Sequence, residues 1–319
     1  SAEAFNYMAM AGWKTKDMLD GIEGILSLAA ASGEDLSTTS DIVTDALTAF
    51  GLTAADSGHF ADVLAQASAS ANTNVSMLGE SFKYVAPVAG AMKYSVEDVS
   101  LALGLMANSS VKGSMAGTAL KTSLANMASP TKNMYAAMEK YNISLEDGHG
   151  KMKTLKGVMD NLRKELGGLS EAEQTAAAST IFGKEAMAGM LSIINASEKD
   201  YKNLTKAVNN ADGASKNMAD TMLDNLEGSI TLLQSAVDGV KISLGKRLSP
   251  YVRGTADWLT EMMPDVEAAL DGLMDFIDRK VSGAQEKLKE LSATDKWNDA
   301  DFFGKAVIAW DEFIAEPFA

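Results

Sequence analysis

The chain has no cysteine, and its 319 residues include only two histidines and five prolines. Without cysteine, disulfides and thiolate metal sites are excluded and the redox compartment stays open. Two histidines, His59 and His149, leave little material for zinc or triad chemistry, and neither has a ligand set nearby in sequence. Basic residues are also outnumbered: 28 Lys and Arg face 43 Asp and Glu, for a formal net charge of −15. That balance argues against direct nucleic-acid binding, which needs clustered cations, whereas the lysines here are dispersed among acids along the sequence. No apolar run approaches the roughly 20 residues that span a bilayer. The chain opens Ser-Ala-Glu with no initiator Met, basic n-region or signal-peptide core, and it stops after an apolar segment. It reads as a piece of a longer protein.

What remains is helical material. Hydrophobic residues make up 46% of the chain, dominated by Ala, Leu and Met, which favours an all-α fold of one to three domains. The 19 methionines suit adaptable packing surfaces, and at helical spacing they serve as core filler. Val99, Leu103 and Met106, then Leu120, Leu124 and Met127, recur at three- and four-residue intervals. Helices are expected at about 4–11, 15–31, 35–50, 56–70, 75–92, 96–109, 114–128 and 131–141, punctuated by Gly33, Gly51, Gly113 and Pro130. Ser95 with Asp98, Ser170 with Glu173 and Ser197 with Asp200 have capping-box spacing. A further helix is expected at about 154–166. Between Ile143 and Lys153 the period changes to alternation around Asp147-Gly148, which predicts a small β-hairpin.

Gly213 marks a change of character. Leu223, Leu226, Ile230, Leu233, Val237, Val240 and Leu244 follow a three-four alternation that predicts a coiled-coil-like seam for helix association. A second stripe runs through Val266, Leu270, Leu273, Ile277 and Val281. The expected organisation is a compact multi-helix core domain at 1–210 followed by an extended helical region at 211–319.

Candidate chemistry is thin. Gly79-Glu80-Ser81-Phe82 faintly echoes the glutamate-serine motif of lytic transglycosylases, but the Gly-Leu-Met-Gln segment that should follow is missing. Gly113 to Thr118 lacks the spacing of a phosphate-binding loop, so Gly113 and Gly117 read as packing glycines. Asn142 to Lys153 fails as a calcium loop because Gly148 is one position late and Lys153 replaces the bidentate Glu. No catalytic, cofactor or metal residue is assigned.

The phrases ADVLAQASASANTNV, GESFKYVAPVAG and GLMANSSVKGSMAGTALK, with the closing Pro130, resemble the core region of phage tail tape measure proteins. IFGKEAMAGMLSIINAS, from Ile181 to Ser197, fits the same pattern. The resemblance is close to about Asn210 and looser beyond. It implies a structural virion protein that occupies the lumen of the tail tube, sets tail length, templates tube polymerisation and leaves during DNA ejection. The implied partners are the tail tube protein, tail assembly chaperones, baseplate hub proteins and further copies of itself, with assembly in the host cytoplasm. Two other classes stay open: a membrane-active, pore-forming delivery module, and a cell-wall hydrolase acting through Glu80.

Overall fold

The computed structural model describes residues 2–223 and Arg279. The chain divides into two units, Ser1–Ala219 and Asp220–Ala319, and the described residues lie almost wholly in the first. The fold among them is all-α, with thirteen α-helices, one 3-10 turn and no strand.

Helices α1 (Ala2–Met10), α2 (Thr15–Ser32) and α3 (Leu36–Phe50) come first, and a 3-10 turn at Ala54–Asp56 leads into α4 (Ser57–Ser70). They are followed by α5 (Val75–Ala91), α6 (Val96–Asn108), α7 (Ser114–Ala128) and α8 (Lys132–Lys140). Local chemistry sets these bounds. Asp35, Asn74, Ser95 and Thr131 each accept a backbone N–H from three residues on, satisfying a donor that the helix cannot. Gly33 and Gly51 end α2 and α3 in the left-handed conformation that lacks a steric penalty only for glycine. Pro87 lies inside α5 but on its exposed side, so the carbonyl it leaves unpaired faces water.

The second half contains α9 (Leu155–Leu166), α10 (Glu171–Phe182), α11 (Met187–Ile194), α12 (Glu198–Asn209) and α13 (Ala214–Leu223). Ser170 and Glu173 close a reciprocal capping box ahead of α10. The other two expected boxes are half closed. Ser95 and Ser197 cap their helices, but neither Asp98 nor Asp200 returns a bond to the N-cap backbone. The expected hairpin is reduced to a single antiparallel bridge between Glu146 and Met152. Asp147 explains this: its carboxylate takes the N–H groups of both His149 and Lys151, at 2.8 and 3.0 Å, and closes the chain as a turn.

Packing skips a helix. α1 packs on α3, α3 on α5 and α5 on α7, while α2 packs on α4 and α4 on α6. Odd and even helices therefore form two rows that share one core. α12 returns to cover α4 and α6, and α11 packs on α6 and α7. At the centre, the Phe82 ring meets Phe60 edge-on at 5.4 Å and Phe50 at 5.9 Å. Among the described residues no helix is long and apolar enough to cross a membrane.

Candidate functional site

The closest approaches between helices are made by small residues. Where α5 crosses α7, a side chain at Gly117 would collide with the Ser81 carbonyl oxygen and come within 2.9 Å of the Ser81 Cα. The Ser81 hydroxyl donates to Met77 O at 2.9 Å and across the crossing to Gly113 O at 2.8 Å. A Cβ added at Gly113 would meet only Glu80 Cγ, at an ordinary 3.8 Å. The Gly113 φ of +57° and ψ of −138° are what require glycine, so that residue shapes the turn ahead of α7.

The segment Gly79-Glu80-Ser81-Phe82 is committed to the same contacts. Gly79 lies against Ile42, whose Cδ1 would stand 2.5 Å from an added Cβ. Phe82 is in the core, Ser81 binds the α7 turn, and Glu80 is half-buried at the edge. Its neighbour Lys83 pairs with Asp41 of α3 at 2.7 Å.

His59 does have partners, which its sequence context hid. Its Nε2 lies 2.6 Å from Glu97 Oε1 and its Nδ1 3.8 Å from Asp212 Oδ1. Among the described residues no group of three or more His, Asp or Glu side chains could hold a metal ion.

Folding also gathers cations that are dispersed in sequence. Lys156, Arg163 and Lys164 of α9 and Lys202 and Lys206 of α12 line a groove of about 540 Å³. Most are spent internally: Lys156 pairs with Asp160 at 2.7 Å, Lys164 with Glu165 at 2.8 Å and Lys202 with Glu198 at 3.0 Å. Arg163 donates to the Ile193 and Ala196 carbonyls, each at 2.8 Å, and so closes the C-terminal end of α11. The guanidinium also stands 4.3 Å from the centroid of the Tyr201 ring. The Tyr201 hydroxyl donates to Asp160 at 2.7 Å, and burial together with that bond holds the phenol well above its usual range. The groove thus serves first as a polar weld between α9, α11 and α12. A second groove, about 740 Å³ and more apolar, is lined by Met92, Met127, Tyr135, Met138, Ile143 and Met152 among others.

Of the helix-association seam, Leu223 is the last residue of α13. Leu226, Ile230, Leu233, Val237, Val240 and Leu244 lie outside the described residues, as does the second stripe.

These features define a tightly packed all-helical module in which small residues, caps and polar welds occupy the closest contacts. The chain belongs to the phage-related minor tail protein family, whose model matches residues 1–183. It is 36% identical over 263 residues to the tape measure protein of Pneumococcus phage Dp-1, covering 82% of this chain and 23% of that protein. It is 26% identical over 250 residues to the probable tape measure protein of Escherichia phage P2, covering 77% of this chain and 30% of that protein. The chain therefore spans less than a third of the length of these relatives. No solved structure matches it.

Proposed function

We propose that this chain is the core region of a tape measure protein, the ruler that sets the length of a phage or phage-like tail. The observation that carries the reading is continuous similarity to the Dp-1 tape measure protein across 82% of the chain. In this reading a compact core at 1–210 precedes an extended helical region at 211–319. Copies lie along the tail axis, and the seam from Leu223 to Leu244 joins helices to one another. Tube subunits polymerise around these copies, and growth stops when the ruler is covered. The ruler then leaves the tube as DNA is ejected. Partners are the tube protein, tail assembly chaperones and the baseplate hub, and the location is the tube lumen after assembly in the host cytoplasm.

Length carries the test. A helical ruler advances about 1.5 Å per residue. In-frame deletions after Gly213, introduced into the phage that encodes the chain, should shorten tails in proportion on electron micrographs. Deletions inside 1–210 should instead block assembly, because they remove core helices rather than axial length. Full-length tails from deletions after Gly213 would exclude that segment from the ruler. Full-length, infectious virions from deletions throughout the gene would exclude the function.

A further inference from the structure

Helix α13 carries the chain out of the Ser1–Ala219 unit, and its first turn is capped from α4, about 150 residues earlier. Gly213, at φ +75°, donates its N–H to Asp62 Oδ2 at 2.7 Å. Ser215 donates its N–H and its hydroxyl to Asp62 Oδ1, at 2.9 and 2.5 Å. Both carboxylate oxygens are thus spent where a helix has unpaired N–H groups and the positive end of its dipole. Ala211, Ser215 and Ala219 are buried around this contact.

One turn earlier on α4 stands His59. The charged groups that face its ring are Glu97 of α6, at 2.6 Å from Nε2, and Asp212 of the α12–α13 turn, at 3.8 Å from Nδ1. Asp62 lies three residues further along its own helix. A neutral imidazole has one N–H, which the short distance to Glu97 places on Nε2. Nδ1 then presents a lone pair toward Asp212 and cannot hold it. The imidazolium has an N–H on each nitrogen and can hold both carboxylates.

We infer that the α12–α13 junction is a proton-responsive latch. Asp62 clamps the first turn of α13 without needing a proton, and protonation of His59 adds a second tie through Asp212. That tie needs an N–H on Nδ1 as well as on Nε2, so it belongs to the doubly protonated ring alone. Asp212 is exposed, so the second tie adjusts the latch while Asp62 supplies most of its hold.

Hydrogen exchange on the full chain, corrected for intrinsic rates, tests this at about pH 5.5 and about pH 8. Protection of residues 211–219 should be about threefold higher at the lower pH. His59→Gln should remove that difference. Asp212→Asn, at an exposed position, should remove it too, and it keeps the test informative if the His59 variant folds poorly. Asp62→Asn should lower protection about five- to tenfold at both pH values and leave the pH difference in place. Equal protection of the native chain at the two pH values, or an unchanged difference in Asp212→Asn, would overturn the proton-responsive tie. Unchanged protection in Asp62→Asn would overturn the clamp.

Discussion

The Asp98 carboxylate of α6 accepts the backbone N–H of Lys156 at 2.8 Å, so the first turn of α9 is capped by a residue 58 positions earlier. Thr154 takes the next donor, the Gly157 N–H, at 3.0 Å. Two caps from different elements therefore share one helix start, and α9 cannot shift along α6 without losing one of them. Ser95 caps α6 but receives nothing back from Asp98, because that side chain is engaged across the interface.

Asp98→Ala should cost about 1–3 kcal/mol, since it leaves the part-buried Lys156 N–H without its partner. Asp98→Asn keeps an oxygen for that N–H and should stay within about 1 kcal/mol of the native chain at neutral pH. The two variants should also differ from the native chain in pH dependence. Burial, opposed by the Lys156 N–H, holds the Asp98 carboxyl above its usual range. A raised carboxyl pKa favours the folded state while the group is protonated, so this contribution is lost as pH rises through the folded value. Urea denaturation at a series of pH values above about 4 should therefore show a shallower decline for Asp98→Asn than for the native chain.

Gly117→Ala, and more severely Gly117→Leu, should destabilise by about 1–3 kcal/mol, because the added carbon meets the Ser81 backbone, which cannot swing away as a side chain could. Thermal denaturation of each variant checks this. Ser81→Ala is a useful partner measurement. It removes the bond to Gly113 O and leaves the crossing distance alone, so its cost should be smaller, about 1 kcal/mol. If Gly117→Ala melts with the native chain, the crossing is looser than the contact implies.

The helix bounds were largely legible in the sequence because they are written in local chemistry. The spacing predicts a helix over 114–128 and Ser114–Ala128 is observed, with a glycine turn in front and Ser129-Pro130 behind. Sequence spacing does not separate helix α11 from α10, and the reason is physical. Gly183, at φ +88°, breaks an apolar stretch without altering its composition, and Ala186 starts the next helix with no side-chain cap. The small-residue spacing around Gly113 and Gly117 was visible, but which carbonyl each would meet depends on how α5 crosses α7. The Arg163–Tyr201 weld, the gathering of lysines beside it and the two carboxylates at His59 join residues from different helices. Sequence spacing holds no record of those meetings. Asp98 misleads for the same reason: at N3 it looks like half of a capping box, and the better donor arrives from a distant helix.

Tyr94→Phe should leave the fold intact and raise stability by up to about 1 kcal/mol. Tyr94 is 5% exposed, and its hydroxyl has no hydrogen-bond partner among the described residues. Burial and the neighbouring Asp98 charge push the phenol up to about 12. Phenylalanine keeps the ring packing and removes the unpaired oxygen, so chemical denaturation should give a higher midpoint with an unchanged slope. A clear loss of stability would mean that the hydroxyl is bonded in solution.

Arg163→Lys separates charge from geometry at the weld of α9, α11 and α12. Lysine keeps one positive charge near Glu198, but it cannot place two N–H groups on the Ile193 and Ala196 carbonyls while lying flat over Tyr201. The Ile193 carbonyl belongs to the last turn of α11 and the Ala196 carbonyl to the link that follows it, where intrahelical donors have run out. The substitution should therefore cost about 1–2 kcal/mol, most of it from under-satisfied carbonyls and lost stacking. Adding Glu198→Gln to either background should change little, because the Arg163–Glu198 contact is longer, at 3.3 Å, and Glu198 is exposed. Thermal melts of the two single variants and the double variant would resolve these contributions. The local effect can be read directly, because amide exchange at residues 194–198 should accelerate in Arg163→Lys while α1 to α3 stay as protected as before. If Arg163→Lys matched the native chain and Glu198→Gln carried the loss, the weld would be an ion pair and the carbonyl contacts incidental.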